Sequence, residues 1–216
     1  MRARWLPLVL FLSVGCGRHK AAATWKQLRG EPYVLDGISR ELKGGKRASC
    51  PEQIEYRNYS GQLVRLKKPA LVARPFIPKL QAFERVLQRV AKTHYGRPPD
   101  RILHFGSRAC RSIRGNKRRL SEHALGNAID ISGFEWTPVK KDRALPEGAE
   151  RAFTVSVKEH WNALANPLSE RHSRFLHALV ERTLDADIFR GVIGPGREGH
   201  ADHLHFDVAP WDYTLF

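Results

Sequence analysis

Apolar residues at Leu80, Phe83, Val86, Leu87, Val90 and Ala91 recur at helical spacing, which predicts an amphipathic helix with one core-facing stripe. Pro78 suits its first turn, and Tyr95-Gly96 followed by Pro98-Pro99 suits its end. A second stripe of Leu168, Phe175, Leu176, Leu179, Val180 and Leu184 predicts another helix, with Asn166-Pro167 as its cap and first turn. Shorter apolar or alternating runs predict strands over residues 101–105, 127–134, 188–193 and 203–208, and the alternation of Phe153, Val155 and Val157 predicts one more. In the 127–134 strand Ile129 and Ile131 enter the core, so Asp130 shares the opposite face with Ala128 and Ser132. The basic run 112–119 and the charged, proline-bearing stretch 138–150 read as loops. Helices and strands that are segregated rather than strictly alternating point to an α+β domain with a mostly antiparallel sheet and flanking helices.

The chain has 216 residues, enough for one domain with a real core. Residues 1–16 read as a signal peptide, with Arg2 and Arg4 before an apolar run from Trp5 to Val14 that is too short to span a bilayer. Gly15-Cys16 resembles a lipobox, which makes Cys16 a lipidation site and anchors an exported protein to the cell envelope, in the periplasm or at the outer membrane. Ser13 stands where such signals usually carry leucine, so cleavage without lipidation is the alternative. Residues 17–49 are charged and aperiodic, as in a tether or extended arm, and the domain is expected over 50–216.

Export changes how the remaining cysteines read. Cys50 and Cys110 are expected to form one disulfide closing a loop of about sixty residues. The formal charge of +15 favours anionic surroundings, but the basic residues are spread along the chain with no nucleic-acid motif. Cell-wall polymers, lipid headgroups or acidic peptides fit an exported basic protein better; no nucleic-acid partner is expected, and the protein is expected to be a monomer.

The chemistry concentrates in two segments. SEHALGNAIDISGF contains S-x-H-x-x-G-x-A-x-D, with His123 and Asp130 seven apart, and GHADHLHFDV contains H-x-x-H-x-H, with His200, His203 and His205. Alternate residues of a strand share a face, so His203, His205 and Asp207 project together. Two imidazoles and a carboxylate with a position open to water describe a catalytic zinc site, whereas structural sites are closed by four ligands rich in cysteine. There is no HExxH helix, which excludes the thermolysin template.

These motifs resemble the LAS group of zinc D,D-peptidases, and their wording is most similar to the bacterial extensin-like C-terminal domain family, over about residues 50–207. The resemblance implies a fold like that of the hedgehog and D,D-peptidase domains, one Zn2+ ion, and peptidoglycan or its peptides as substrate. It implies His123, Asp130 and His205 as metal ligands, His203 as general base, and His200 as a neighbouring active-site histidine that binds substrate. Arg111 matches the arginine that binds substrate or stabilises the oxyanion, and Ser121 the residue that orients the loop or binds substrate. Glu198 lies seven residues before His205 rather than three, which departs from the E-x-x-H of carboxypeptidase-type relatives. Asp207 and Asp202 are candidate partners of the imidazoles, and Glu122 is the acid if the histidine assignment fails. The resulting expectation is a metallopeptidase that uses a metal-activated water; the alternative is a non-catalytic, zinc-stabilised cell-wall-binding module.

Overall fold

The computed structural model describes residues 33–42, 48–140 and 144–216. The expected signal peptide, the Cys16 lipidation site and much of the expected tether lie outside the described residues. In chain order the domain comprises β1 (Tyr56–Tyr59), β2 (Arg65–Leu66), β3 (Ala70–Ala73), α1 (Ile77–Tyr95), β4 (Arg101–Gly106), β5 (Ser112–Ile113), β6 (Asn116–Leu120), β7 (Ala128–Trp136), β8 (Phe153–Ser156), α2 (Val157–His160), α3 (Pro167–Asp185), β9 (Gly191–Ile193), β10 (Leu204–Asp207) and β11 (Tyr213–Leu215). Among the described residues no helix is long and apolar enough to cross a membrane.

Both helices form where the apolar spacing places them. In α1 all six stripe residues are buried, proline occupies the first turn, and Gly96 ends the helix in the left-handed conformation at φ 71°. In α3 the Asn166 side chain accepts a hydrogen bond from the Ser169 N–H at 2.9 Å, which satisfies one free donor of the first turn. Its stripe is shorter than expected. Phe175, Leu176, Leu179 and Val180 are buried, while Leu168 and Leu184 near the two ends are exposed.

The main sheet runs β11-β9-β10-β7-β4-β2, with β8 also paired to β7. The expected mostly antiparallel sheet is corrected to a mixed one: the central pairings are antiparallel, but β2 runs parallel to β4 and β11 parallel to β9. Each of those two edge strands returns to the sheet after a crossing segment rather than a tight hairpin, which is what parallel pairing requires. The basic run expected to be a loop is instead the β5–β6 hairpin. Gly115 at its turn has φ +80°, which lets the chain reverse inside a stretch with no apolar alternation to announce a strand. Val157 opens α2 rather than closing the preceding strand, and the strand expected over 188–193 is confined to β9.

β7 holds the sheet together, flanked by β4 on one side and by β10 and then β8 on the other. Its register against β4 shifts between Leu103 and His104, so two residues of β7 face one step of β4. Such a bulge changes which alternate positions face inward. Ile129 and Ile131 are buried before it, and Phe134 and Trp136 after it. Helices cover this face: Phe83 of α1 packs on Phe206 with ring centroids 5.3 Å apart, and Phe175 of α3 packs edge-on to Phe134 at 5.4 Å. His205 and Asp207 of β10 and Asp130 of β7 are thereby left to the opposite face, where the polar side chains gather.

Residues 33–42 pack against that domain. Leu35 joins the core, Arg40 is buried, and the Asp36 carboxylate pairs with Arg190 at 2.8 Å. The Cys50–Cys110 disulfide is formed across 60 residues. In a chain-entropy account such a loop contributes about 4 kcal/mol.

Candidate metal centre

Asp130 and His205 are directly opposed residues of β7 and β10, so the register of one antiparallel pair brings a carboxylate beside an imidazole. His123 arrives from outside the sheet. It lies in a 3-10 turn, Glu122–Leu125, whose N-cap Ser121 accepts the His123 N–H at 3.3 Å. Gly126 ends the turn at φ +64°, and a Cβ there would come within 2.8 Å of the Ala73 nitrogen. The absent side chain thus serves a left-handed turn packed against β3 and the Tyr56 ring.

Three atoms converge. His123 Nε2 lies 3.1 Å from Asp130 Oδ1 and 3.1 Å from His205 Nδ1, and the last two are 2.9 Å apart. The other nitrogen of each imidazole is committed: His123 Nδ1–H donates to the Ser107 carbonyl at 2.5 Å, and His205 Nε2–H donates to Asp207 Oδ2 at 2.7 Å. Those bonds fix the tautomers and leave both inward nitrogens as lone pairs facing a carboxylate oxygen. Three acceptors crowded together repel unless a cation or a proton sits among them. A water molecule has two hydrogens and cannot satisfy three inward acceptors at once. The donor set, its spacing and its outer hydrogen bonds therefore suit a divalent metal ion, and His123, Asp130 and His205 form a cluster that can hold one.

Without metal the same electrostatics act on protons. Burial works against a charged His205, but the Asp130 and Asp207 carboxylates outweigh it and raise its pKa to about 9. Burial also opposes ionisation of Asp130, yet hydrogen bonds from His123 and His205 hold its carboxyl well below the usual range.

The remaining sequence-predicted residues fall around this trio. His203 precedes β10 rather than opening it, because the strand begins at Leu204. Its Nε2 is 3.7 Å from Asp130 Oδ1, and its Nδ1–H donates to Asp202 Oδ1 at 2.7 Å. The His200 ring stands 4.8 Å from that of His203 and 5.9 Å from that of His205, and burial lowers its pKa. Ser121 and Arg111 line the same cleft, a space of about 620 Å³ that opens onto the trio; Arg111 is exposed and makes no hydrogen bond or ion pair with the three residues. Ser121 is buried and acts as the cap of the ligand-bearing turn. Glu122 is occupied elsewhere: Arg40 grips both its oxygens at 2.9 and 3.1 Å, and Asn127 donates to one of them at 2.9 Å.

Sequence reasoning missed the supports. Ser107 contributes through its backbone carbonyl, which leaves no residue signature. Ala109 N–H donates to the His123 carbonyl at 2.9 Å, so the segment ending at the Cys110 disulfide clasps the ligand from two sides. Tyr213 donates its hydroxyl to Asp207 Oδ2, and the Ala209 N–H donates to Asp207 Oδ1 at 2.9 Å. Arg40 and Asn127, which tie the N-terminal segment to the residue next to His123, carried no motif either.

No curated protein and no solved structure matches the chain. Residues 37–214 match the family model described as extensin-like protein C-terminus, a span that includes both ligand-bearing segments, the disulfide and most of the packed N-terminal segment. The chain belongs to the extensin-like protein C-terminus family.

Proposed function

We propose that this protein is an exported zinc metallopeptidase that hydrolyses an amide bond in peptidoglycan peptides, on a fold of the hedgehog and D,D-peptidase kind. The observation that carries the reading is the pairing of a three-residue cluster with a fourth imidazole whose Nε2 makes no hydrogen bond among the described residues. His203 is too far from Asp130 Oδ1 to be its hydrogen-bond partner, and its outer nitrogen is tied to Asp202. A closed structural site would use such a histidine as a ligand. His123, Asp130 and His205 would hold the zinc ion, which supplies Lewis acidity toward a carbonyl and makes a neighbouring water more acidic.

The chain's own residues supply the rest. The bond to Asp202 places the proton on His203 Nδ1, so Nε2 presents a lone pair beside the ligand cluster and can accept a proton from water. Asp202 then faces an imidazolium, which its carboxylate stabilises until the proton passes to the leaving amine. Arg111 at the mouth of the cleft is suited to hold a carboxylate or the developing oxyanion. Asp207 and Ser107 keep the ligand imidazoles in the correct tautomer. An apolar leader and the Gly15-Cys16 sequence support export with a lipid anchor at Cys16.

The test is a pair of measurements on wild type and His203→Ala. Zinc content stays near one ion per chain in both, while cleavage of purified muropeptides falls by about 100-fold or more in the variant, the scale of losing a general base. Wild-type protein that binds zinc and cell wall yet cleaves nothing would instead mark a binding module.

A further inference from the structure

Three of the four acids that line this cleft are buried or half-buried and held by neighbours, while exposed Glu198 on the loop between β9 and β10 has no ion-pair partner among the described residues. Asp130 is held by His123 and His205, Asp207 by His205, Tyr213 and the Ala209 N–H, and Glu122 by Arg40 and Asn127. Arg111, Arg114, Arg119 and Arg197 line the same cleft, and none of the four has a carboxylate partner among the described residues. Elsewhere Arg40, Arg74, Arg97, Arg174 and Arg190 each meet an acid, whereas Arg65, Arg85, Arg89, Arg108, Arg118 and Arg171 have no ion pair among the described residues.

Two of the four are positioned without help from an acid. The Arg119 guanidinium stacks 3.8 Å from the Trp211 ring centroid, and its Nε–H is buried with no hydrogen-bond partner among the described residues. Arg114, at the β5–β6 turn, reaches across to the loop between β9 and β10, where a Cβ on Gly199 would come within 2.5 Å of its Nη1. Arg197 belongs to that facing loop. Guanidinium groups thus stand on both the hairpin and the loop, and a divalent ion between the ligands makes the cleft more positive still. Planar forks of this kind match carboxylates in a bidentate manner.

We propose that the cleft is a receptor for an acidic peptide carrying at least two free carboxylates, bound by Arg119 of the hairpin and Arg197 of the facing loop. The placement of the peptide's amide over the ligand cluster and the choice of carboxylate over phosphate rest on the hydrolase reading, and the preference for an anion does not. An amide-bearing ligand carries its negative charge as carboxylate, which favours this class over phosphate.

Titration calorimetry on the zinc-loaded full chain tests it with N-acetyl-Ala-Glu-Ala-Ala and its doubly amidated counterpart, in which Gln replaces Glu and the C-terminus is blocked. The diacid binds about ten-fold or more tightly than the diamide, as two charge-assisted contacts require, and the difference shrinks with added salt. Arg119→Gln and Arg197→Gln each remove most of that preference without changing diamide affinity, zinc content or the circular dichroism spectrum. Arg119→Lys restores part of it. Equal affinity for the two peptides overturns the proposal, as does a preference that survives both Gln variants or an inorganic phosphate affinity exceeding that of the diacid. Retained preference with no cleavage by wild type sinks the hydrolase and leaves the receptor standing; equal cleavage of both peptides does the reverse.

Discussion

Replacing Asp207 by Asn tests whether the second nitrogen of His205 governs the metal site. Asp207 is 1 % exposed, and its two oxygens accept from His205 Nε2–H, Tyr213 and the Ala209 N–H. An amide of the same shape has only one acceptor oxygen. If that oxygen stays with Ala209, the NH2 group faces His205 and drives its proton to Nδ1, the atom aimed at Asp130 and His123. If it turns to His205, two donors confront each other at Ala209. Either arrangement forfeits one buried hydrogen bond and the negative charge behind the imidazole. Loss of such an outer partner costs about 10–100-fold in metal affinity, or about 1.4–2.8 kcal/mol. Zinc affinity read by competition with a chromophoric chelator should fall by that factor while the circular dichroism spectrum is unchanged. Tyr213→Phe, which removes a donor but keeps the carboxylate, should cost much less. An Asp207→Asn affinity within two-fold of wild type would refute the reasoning, because it would mean that the His205 tautomer is set by something other than its nearest acceptor.

Two further outcomes follow from the supports. Cys50→Ser with Cys110→Ser should lower unfolding stability by about 2–5 kcal/mol in urea melts and also weaken zinc binding, since the stapled segment clasps His123; normal zinc affinity in the folded double variant would separate the two effects. His172, packed against His160 and bonded through Nδ1 to the Tyr95 hydroxyl at 2.9 Å, has its pKa lowered to about 4 by burial and then by His160 and Arg171. The unfolded chain protonates this histidine near pH 6.5, so the stability it contributes is complete above that pH and is lost as pH falls toward 4. After solvent screening the loss is about 1–2 kcal/mol, and His172→Asn should flatten that part of the pH–stability curve.

How much was legible in the sequence depends on the range of the interaction. α1 could be read because its burial repeats with the period of its own backbone, and the convergence of His123, Asp130 and His205 because they sit in short motifs at fixed spacing. β7 shows where local reading fails. Alternation through Ile129 and Ile131 is broken by a bulge that only the partner strand β4 defines, so Phe134 and Trp136 point inward out of phase. The β5–β6 hairpin was opaque for a related reason: charged residues of a solvent-facing ribbon have no apolar side to alternate. The same applies to the supports of the site. Ser107, Ala109 and Arg40 act through a carbonyl, an amide and a contact across 82 residues, none of which constrains neighbouring sequence.

The three inward-facing acceptors tie the stability of the domain to what lies between them. In the metal-free protein a proton does this work, with His205 raised to about 9 by carboxylates that overcome its burial. The sign is that of a cation gained on folding: stability is fully present below the unfolded value near pH 6.5 and is lost as pH rises through about 9, by an amount on the order of 2–3 kcal/mol. A metal ion needs His205 neutral, so its binding displaces that proton and removes the alkaline loss. Zinc at about a thousand times its dissociation constant adds about 4 kcal/mol, which for a domain of this size raises the melting temperature by roughly 8–16 °C. Chelated protein should therefore melt lower, and its melting temperature should drop further between about pH 7 and 9, while zinc-loaded protein stays level over the same interval. Identical pH profiles with and without metal would show that His205 does not exchange a proton for the ion, and the assignment of its Nδ1 as a ligand would fall with that result.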